Sequence, residues 1–362
     1  MGNWCEPYNF IECHINHWLW LIVPVIQIAV GTSGNILNII VLSRPKIRKF
    51  STSVYLLSLA VTDIVFLWSS TFPEVKLEIS GTRMEDLSNF SCKVRYLIVH
   101  ASGGYSVWLL VFMTAERLFL TKSPIIARTT LSTKRAVIAS CILLAACLLF
   151  SSHYLFGRHL ETRFKYGNDS EVIDVYHRCV TIDAFDSFYG VTWNLLILVV
   201  LNIIPVIIII VGNINIVATI FIQRRHIRRV NPVSNLPSVI GNRKKSTTKM
   251  LLVVSGFFMI TTLPFTIFAV LKPNIAVQSP RDKARINLYE TICVLLLYCN
   301  FTFNFFLYFV SGTMFKQEWT RLTKKLYDNF CVWVSFDIRR QQRTTVTVIS
   351  LINIVRRETH TV

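Results

Sequence analysis

The sequence predicts an all-α membrane protein: a seven-transmembrane helix bundle followed by a short amphipathic eighth helix. Three observations carry that prediction. The 362-residue chain is 52% hydrophobic and only 16% charged, well below the ~25% charged fraction of ordinary soluble proteins. Its apolar residues gather in seven separate runs of membrane length. Its surplus of basic residues falls on alternate connections between those runs and on the C-terminal tail.

In chain order the runs cover approximately residues 18–43, 53–75, 94–120, 135–157, 189–222, 250–272 and 287–310. A helix rises ~1.5 Å per residue and has to cross roughly 30 Å of hydrocarbon, so each run is long enough to span. Lipid offers no partner to a bare backbone N–H or C=O, which leaves helices as the economical form. The expected organisation is an outer tail over 1–17, the bundle over 18–310, an amphipathic helix over 311–328 and a tail over 329–362. The first 17 residues lack a basic n-region, so the first span is expected to act as its own insertion signal.

Charge fixes the expected orientation. The connections after the first, third and fifth runs hold sixteen basic residues and no acid, and the tail after residue 310 adds nine basic against four acidic residues. Positive loops resist translocation. An extracellular N-terminus, a cytoplasmic C-terminus and a multi-pass place in the plasma membrane follow as expectations. The net charge of +18 then reads as topology, and no nucleic-acid partner is expected.

Nine cysteines divide by the side they should face. Cys92 opens the third run and Cys179 lies in the long loop before the fifth, so a bond between them would pin that loop over the helix mouth. Cys5 and Cys13 could close a small loop in the outer tail, stay free or pair differently. Cys141, Cys147, Cys293 and Cys299 lie inside runs, where packing is the expected role. Cys331 follows a Lys- and Arg-rich amphipathic stretch and reads equally as a palmitoylated or a plain thiol. Asn168-Asp169-Ser170 is a glycan acceptor motif on an outer loop, and Asn89 carries a second one close to the membrane.

Ionisable groups inside lipid are costly and therefore functional candidates. Asp63 sits in the middle of the second run, with Asn35, Ser106, Asn300 and Asn304 at similar depth in the first, third and seventh. Such a cluster could hold a sodium ion or a proton whose occupancy differs between two packings of the bundle, or simply knot helices together. Glu116-Arg117 ends the third run. Arg117 follows Cys92 by 25 residues, about 38 Å along a helix, which places the pair at the inner surface as a switch or as an interfacial arginine. Pro73, Pro205 and Pro264 interrupt the second, fifth and sixth runs, as hinges or as static kinks.

Together these residues, from 18 to about 320, resemble the rhodopsin-like G-protein-coupled receptors. Gly34-Asn35 is similar to the family's first-span signature and Leu59-Ala60 with Asp63 to its second. Cys92 and Cys179 match its bridge, and Glu116-Arg117-Leu118 its acidic-Arg-Tyr box with Leu118 in the aromatic place. Pro205 and Pro264 match the fifth- and sixth-span prolines, while Phe258 and Val107 take the places of the core relay. Asn304-Phe305-Phe306-Leu307-Tyr308 resembles the seventh-span Asn-Pro-x-x-Tyr motif. Departures include Thr262 for the sixth-span tryptophan, Phe305 for the seventh-span proline and Asn213 where the fifth span often has Tyr. The Asn-Phe form resembles invertebrate neuropeptide receptors of the FMRFamide-like group. Lys244 stands where some relatives have an acid that locks Arg117, so that inner lock is expected to be missing.

The resemblance also bounds the ligand. The seventh run has no lysine for a retinal Schiff base, and Val99 stands where amine receptors carry Asp. A mouth with Glu74, His100, Lys272, Glu290 and Tyr298 remains, beneath an acidic loop, and suits a short extracellular peptide with a basic or amidated end. The implied partners are a heterotrimeric G protein at Arg117, membrane lipids, and a receptor kinase and arrestin at Thr344, Thr345, Thr347 and Ser350. Apart from sodium, no cofactor or metal is expected. No nucleophile elbow, phosphate loop or metal-ligand spacing points to an enzyme. A transporter would carry internal repeats and broken spans, and the altered motifs leave a non-signalling scaffold as a further alternative.

Overall fold

A computed structural model describes residues 10–166, 172–230, 239–331 and 333. The chain divides into two compact units, Met1–Met314 and Phe315–Val362. The first unit contains the membrane helices: α1 (Ile11–Leu42), α2 (Ser51–Ser80), α3 (Asn89–Lys122), α4 (Thr133–Gly157), α5 (Phe188–Gln223, helical on to Val230) and α6 (Val239–Leu271). α7 is a bent pair, Pro280–Thr302 and Asn304–Ser311, turning by 55°. With the pair counted as one span, the described residues hold seven apolar helices of membrane length, and the chain is a multi-pass membrane protein. In the second unit, residues 315–331 are helical and Arg321 pairs with Glu318.

Helix starts follow local chemistry. Ser88 and Ser132 accept the amides of Ser91 and Arg135 at 3.0 and 3.3 Å, and Ser279 with Asp282 forms a reciprocal capping box at the head of α7. α2 stops at Gly81, whose φ of 67° is open to glycine at little cost. α1 starts seven residues before its apolar run. Its polar first turns are held because Glu12 is buried against Arg281 (3.1 Å) and Arg285 (3.4 Å), and His17 bonds to Glu78.

Prolines leave visible traces in the spans. Proline has no N–H to close the helical ladder, and the chain widens to π turns just before two of them. Leu67–Thr71 precedes Pro73, and Leu198–Ile203 precedes Pro205, where Asn202 Nδ2 donates to the Ile197 carbonyl at 3.2 Å. Pro264 lies inside α6, and Pro24 inside α1 is a further proline that periodicity did not single out.

The long loop before α5 is not irregular. It forms an antiparallel hairpin of β1 (Arg158–Tyr166) and β2 (Val172–Thr181), in register Arg158↔Thr181 and Leu160↔Cys179. Outside, α5 exposes Ile207, Val211, Ile214, Val217 and Phe221 at helical spacing, an apolar stripe suited to lipid. Inside, the bundle buries polar side chains, among them Asn35, Asn38, Asp63 and Thr262.

Candidate functional site

The polar core is built around Asp63, which is fully buried. Asn304 Nδ2 donates to its Oδ2 at 2.6 Å and Ser106 Oγ to its Oδ1 at 3.1 Å, tying α2, α3 and α7. The other two amides expected in this cluster go elsewhere. Asn35 donates to the Phe301 carbonyl at 2.8 Å, and Asn300 sits between Thr261 (2.7 Å) and Thr262 (3.1 Å) of α6. Thr262, in the place of an expected tryptophan, thus exchanges a ring for a hydrogen bond to α7. A cavity of about 20 Å³ lies beside them, lined by Val107, Phe258, Asn300 and Asn304, with room for about one water-sized body. Tyr308 is fully buried and Phe258 nearly so. In α5, Asn213 Nδ2 donates to Ser255 Oγ of α6 at 2.8 Å.

Arg117 and Glu116 close the far end of α3, and both are buried. Their direct approach is 3.9 Å, but a hydroxyl stands between them. Arg117 Nη2 donates to Thr52 Oγ1, which itself donates to Glu116 Oε1 at 2.9 Å, while Ser51 Oγ donates to the same oxygen at 2.8 Å. The start of α2 therefore holds this pair, a partner that sequence reading missed. Nothing in one sequence marks Ser51 and Thr52 as facing Glu116, since the contact spans 64 to 65 positions.

The opposite end is the mouth. Cys92 and Cys179 are disulfide-bonded, with Cα atoms 5.4 Å apart. Asp86 Oδ1 accepts the Cys179 amide at 2.7 Å and Asn89 Oδ1 the Leu160 amide at 3.2 Å, so the hairpin is fastened at three places to the head of α3 and the turn before it. Asn89 spends its side chain there, while Asn168 lies outside the described residues. Cys13 is disulfide-bonded and Cys5 also lies outside them; Cys331 is exposed, outside any disulfide, and its side chain hydrogen-bonds with Tyr327.

The acids expected at the mouth are paired. Glu74 meets Arg95 at 3.0 Å, and Arg95 also bonds Glu85 and the Ser69 carbonyl. Lys272 and Glu290 meet at 2.7 Å with side chains 45% and 38% exposed. Val99 packs with Trp20 on the cluster of Phe66, Leu67, Tyr298 and Phe301, and Tyr298 shares a hydrogen bond with Ser70 at 2.9 Å.

His100 stands in a separate aromatic box. Its Nδ1 faces the Tyr96 carbonyl at 2.9 Å and its Nε2 the Tyr154 hydroxyl at 3.1 Å, with Tyr189 stacked on Tyr154 and Trp193 meeting it edge-on. Arg95, Arg158 and the box of Tyr96, Tyr154, Tyr189 and Trp193 are the mouth residues that sequence reading missed. The one available signal was Arg95 itself, a cation three residues past Cys92.

Comparison with known proteins adds one match. The profile of the family described as 7 transmembrane receptor (rhodopsin family) covers residues 34–308, from Gly34 to Tyr308, both of which the geometry places inside the bundle. No curated protein matches the chain.

Proposed function

Since the chain belongs to the rhodopsin family of seven-transmembrane receptors, we propose that it is a plasma-membrane receptor for an extracellular peptide that signals through heterotrimeric G proteins. The N-terminus and the hairpin face outward and the basic connections inward. The observation that carries the peptide reading is the mouth: a hairpin fastened to α3 above a rim of ion pairs. Lys272–Glu290 is half exposed, and such pairs are worth only about 0–1 kcal/mol. A basic group on the ligand can displace Lys272 from Glu290 at small cost. The Asn-Phe form of the α7 motif supports an invertebrate neuropeptide as the ligand class.

Agonist binding biases the packing of α3, α5, α6 and α7, and the inner end opens at Arg117 to admit a G-protein helix. A sodium ion is the natural allosteric partner of Asp63. Each carboxylate oxygen receives one hydrogen bond and keeps lone pairs to spare. The Ser106 hydroxyl and the Asn304 amide supply further oxygens, so the donor set suits a small hard cation. In the tail, Thr344, Thr345, Thr347 and Ser350 are substrates for a receptor kinase that recruits arrestin, and Cys331 is a palmitoylation site.

The test is a reporter-cell screen of the full chain against a neuropeptide library, with surface expression measured in parallel. At least one peptide should evoke a G-protein response that Arg117→Ala abolishes. Silence across all pathways at normal surface expression overturns the peptide reading, and an unchanged response in Arg117→Ala overturns the role of Arg117.

A further inference from the structure

Arg158 is the first residue of β1, held in place by its pairing with Thr181 and by the Ile182 amide, which donates to the Gly157 carbonyl at 3.1 Å. Its guanidinium lies 4.0 Å from the ring centre of Tyr96, 5.3 Å from that of Tyr189 and 5.9 Å from that of Tyr154. Aromatic faces offset part of the cost of sheltering a cation, but they supply no acceptor for its N–H groups. Among the described residues Arg158 has no ion pair, and its buried Nε has no hydrogen-bond partner. Two neighbouring nitrogens, His153 Nε2 and His159 Nδ1, are also buried without partners.

Three carboxylates of this region serve other arginines. Glu85 serves Arg95 and Arg83 (3.7 Å), Glu74 serves Arg95 (3.0 Å) and Glu161 serves Arg163 (2.9 Å). Arg158, Arg95, Arg83 and Glu85 all lie within electrostatic reach of the Tyr96 hydroxyl. Glu85 pairs with Arg95 and Arg83 and Glu74 with Arg95, which leaves Arg158 as the one of these three guanidinium groups without an ion pair among the described residues. A partly buried guanidinium whose Nε has no acceptor is left short of a hydrogen bond, and a carboxylate is the group that meets a guanidinium in bidentate fashion.

We propose that Arg158, in its cage of Tyr96, Tyr154 and Tyr189, is a subsite for a carboxylate of the ligand, either the free C-terminus of a peptide or an acidic side chain. The proposal deepens the receptor reading and rests on it for the location of the ligand. The ligand then carries an anionic group for Arg158 as well as a basic group for Glu290.

Binding can be tested apart from signalling. The full chain is purified in a phosphate-free sugar detergent, and its melting midpoint is followed with glutarate against glutaramide at constant ionic strength. Glutarate should raise the midpoint by a few degrees and saturate, as expected for a ligand of the folded state. Glutaramide should leave it unchanged, and Arg158→Gln should lose the glutarate shift. Arginine-selective labelling of the unmodified chain with phenylglyoxal supplies a readout that needs no variant: glutarate should protect Arg158 and leave Arg178 reactive. Equal midpoints with the two probes, an undiminished shift in Arg158→Gln, or no protection of Arg158 overturns the proposal. So does stabilisation by anionic phospholipid nanodiscs in the absence of a glutarate effect, which would assign the arginine to the membrane surface. Reporter silence alongside an intact glutarate shift would count against the peptide reading and leave the subsite standing.

Discussion

Thr52 touches two charges at once, accepting from Arg117 and donating to Glu116, in a region where both ionic groups are buried. Without that hydroxyl, Arg117 and Glu116 would face each other at 3.9 Å with fewer hydrogen bonds than a buried pair requires. Ser51 shares only the Glu116 side of the arrangement. Thr52→Val keeps the shape and removes the hydroxyl, at a cost of about 1–3 kcal/mol to the resting packing. If that packing is the silent state, the variant should raise ligand-free reporter output several-fold at matched surface expression. An unchanged basal output would mean that the contact stabilises both packings equally. Lys244 puts a cation where an acid could have held Arg117 from α6, and the Thr52 hydroxyl of α2 is the group that meets the guanidinium. A reader of the sequence sees Glu116-Arg117 because the two are adjacent and charged within an apolar run. Ser51 and Thr52 carry no such mark, since hydroxyls are common near helix starts and the partner is set only by the packing of α2 on α3.

The helices themselves were largely legible, because a span has to satisfy its own backbone and bury an apolar surface in lipid, and both demands leave long hydrophobic runs. What composition hides is the start of α1, where Glu12 and His17 resemble tail residues until Arg281, Arg285 and Glu78 are brought to them. It also hides the π turns before Pro73 and Pro205, which are responses to proline and have no sequence pattern of their own. The hairpin did leave a trace: Leu160, Thr162, Phe164 and Tyr166 alternate with Glu161, Arg163 and Lys165, the period of a strand. Helix contact can be tested at Gly31 of α1, where a Cβ would lie 2.5 Å from Leu67 Cδ1 and 3.1 Å from the Thr302 backbone. The leucine can turn aside, but the α7 backbone cannot. Gly31→Val should therefore push α1 away from α7 and cost about 1–3 kcal/mol, read as a lower melting midpoint of the purified chain. Gly190→Ala, with open space around its Cβ, should melt close to the unaltered protein. Equal midpoints for the two variants would contradict the close approach of α1 and α7.

At the scale of the molecule, the disulfide and hairpin mark one end of the bundle, and Arg117 marks the other, 25 positions along α3. In the proposed topology seven crossings put the chain ends on opposite sides of the membrane, and sixteen basic residues without an acid on three connections assign those connections to the inner side. The first connection is expected to weigh most, because it is short and lies within reach of the first two spans as they insert: Arg44, Lys46, Arg48 and Lys49. An N-terminal epitope should be labelled on intact cells, and a C-terminal epitope only after permeabilisation. Replacing those four residues with Gln should produce a minority population in which the N-terminal epitope is hidden, since the later basic connections still favour the original orientation. Both epitopes on one side in the unaltered chain would mean an even number of crossings, and the bent pair Pro280–Thr302 and Asn304–Ser311 would then have to be a re-entrant segment. Reversed labelling would put the hairpin and Arg158 in the cytoplasm, where a reducing milieu would not sustain the Cys92–Cys179 bond. The charge pattern and the redox chemistry of the disulfide thus make independent statements about the same orientation, and one labelling experiment checks both.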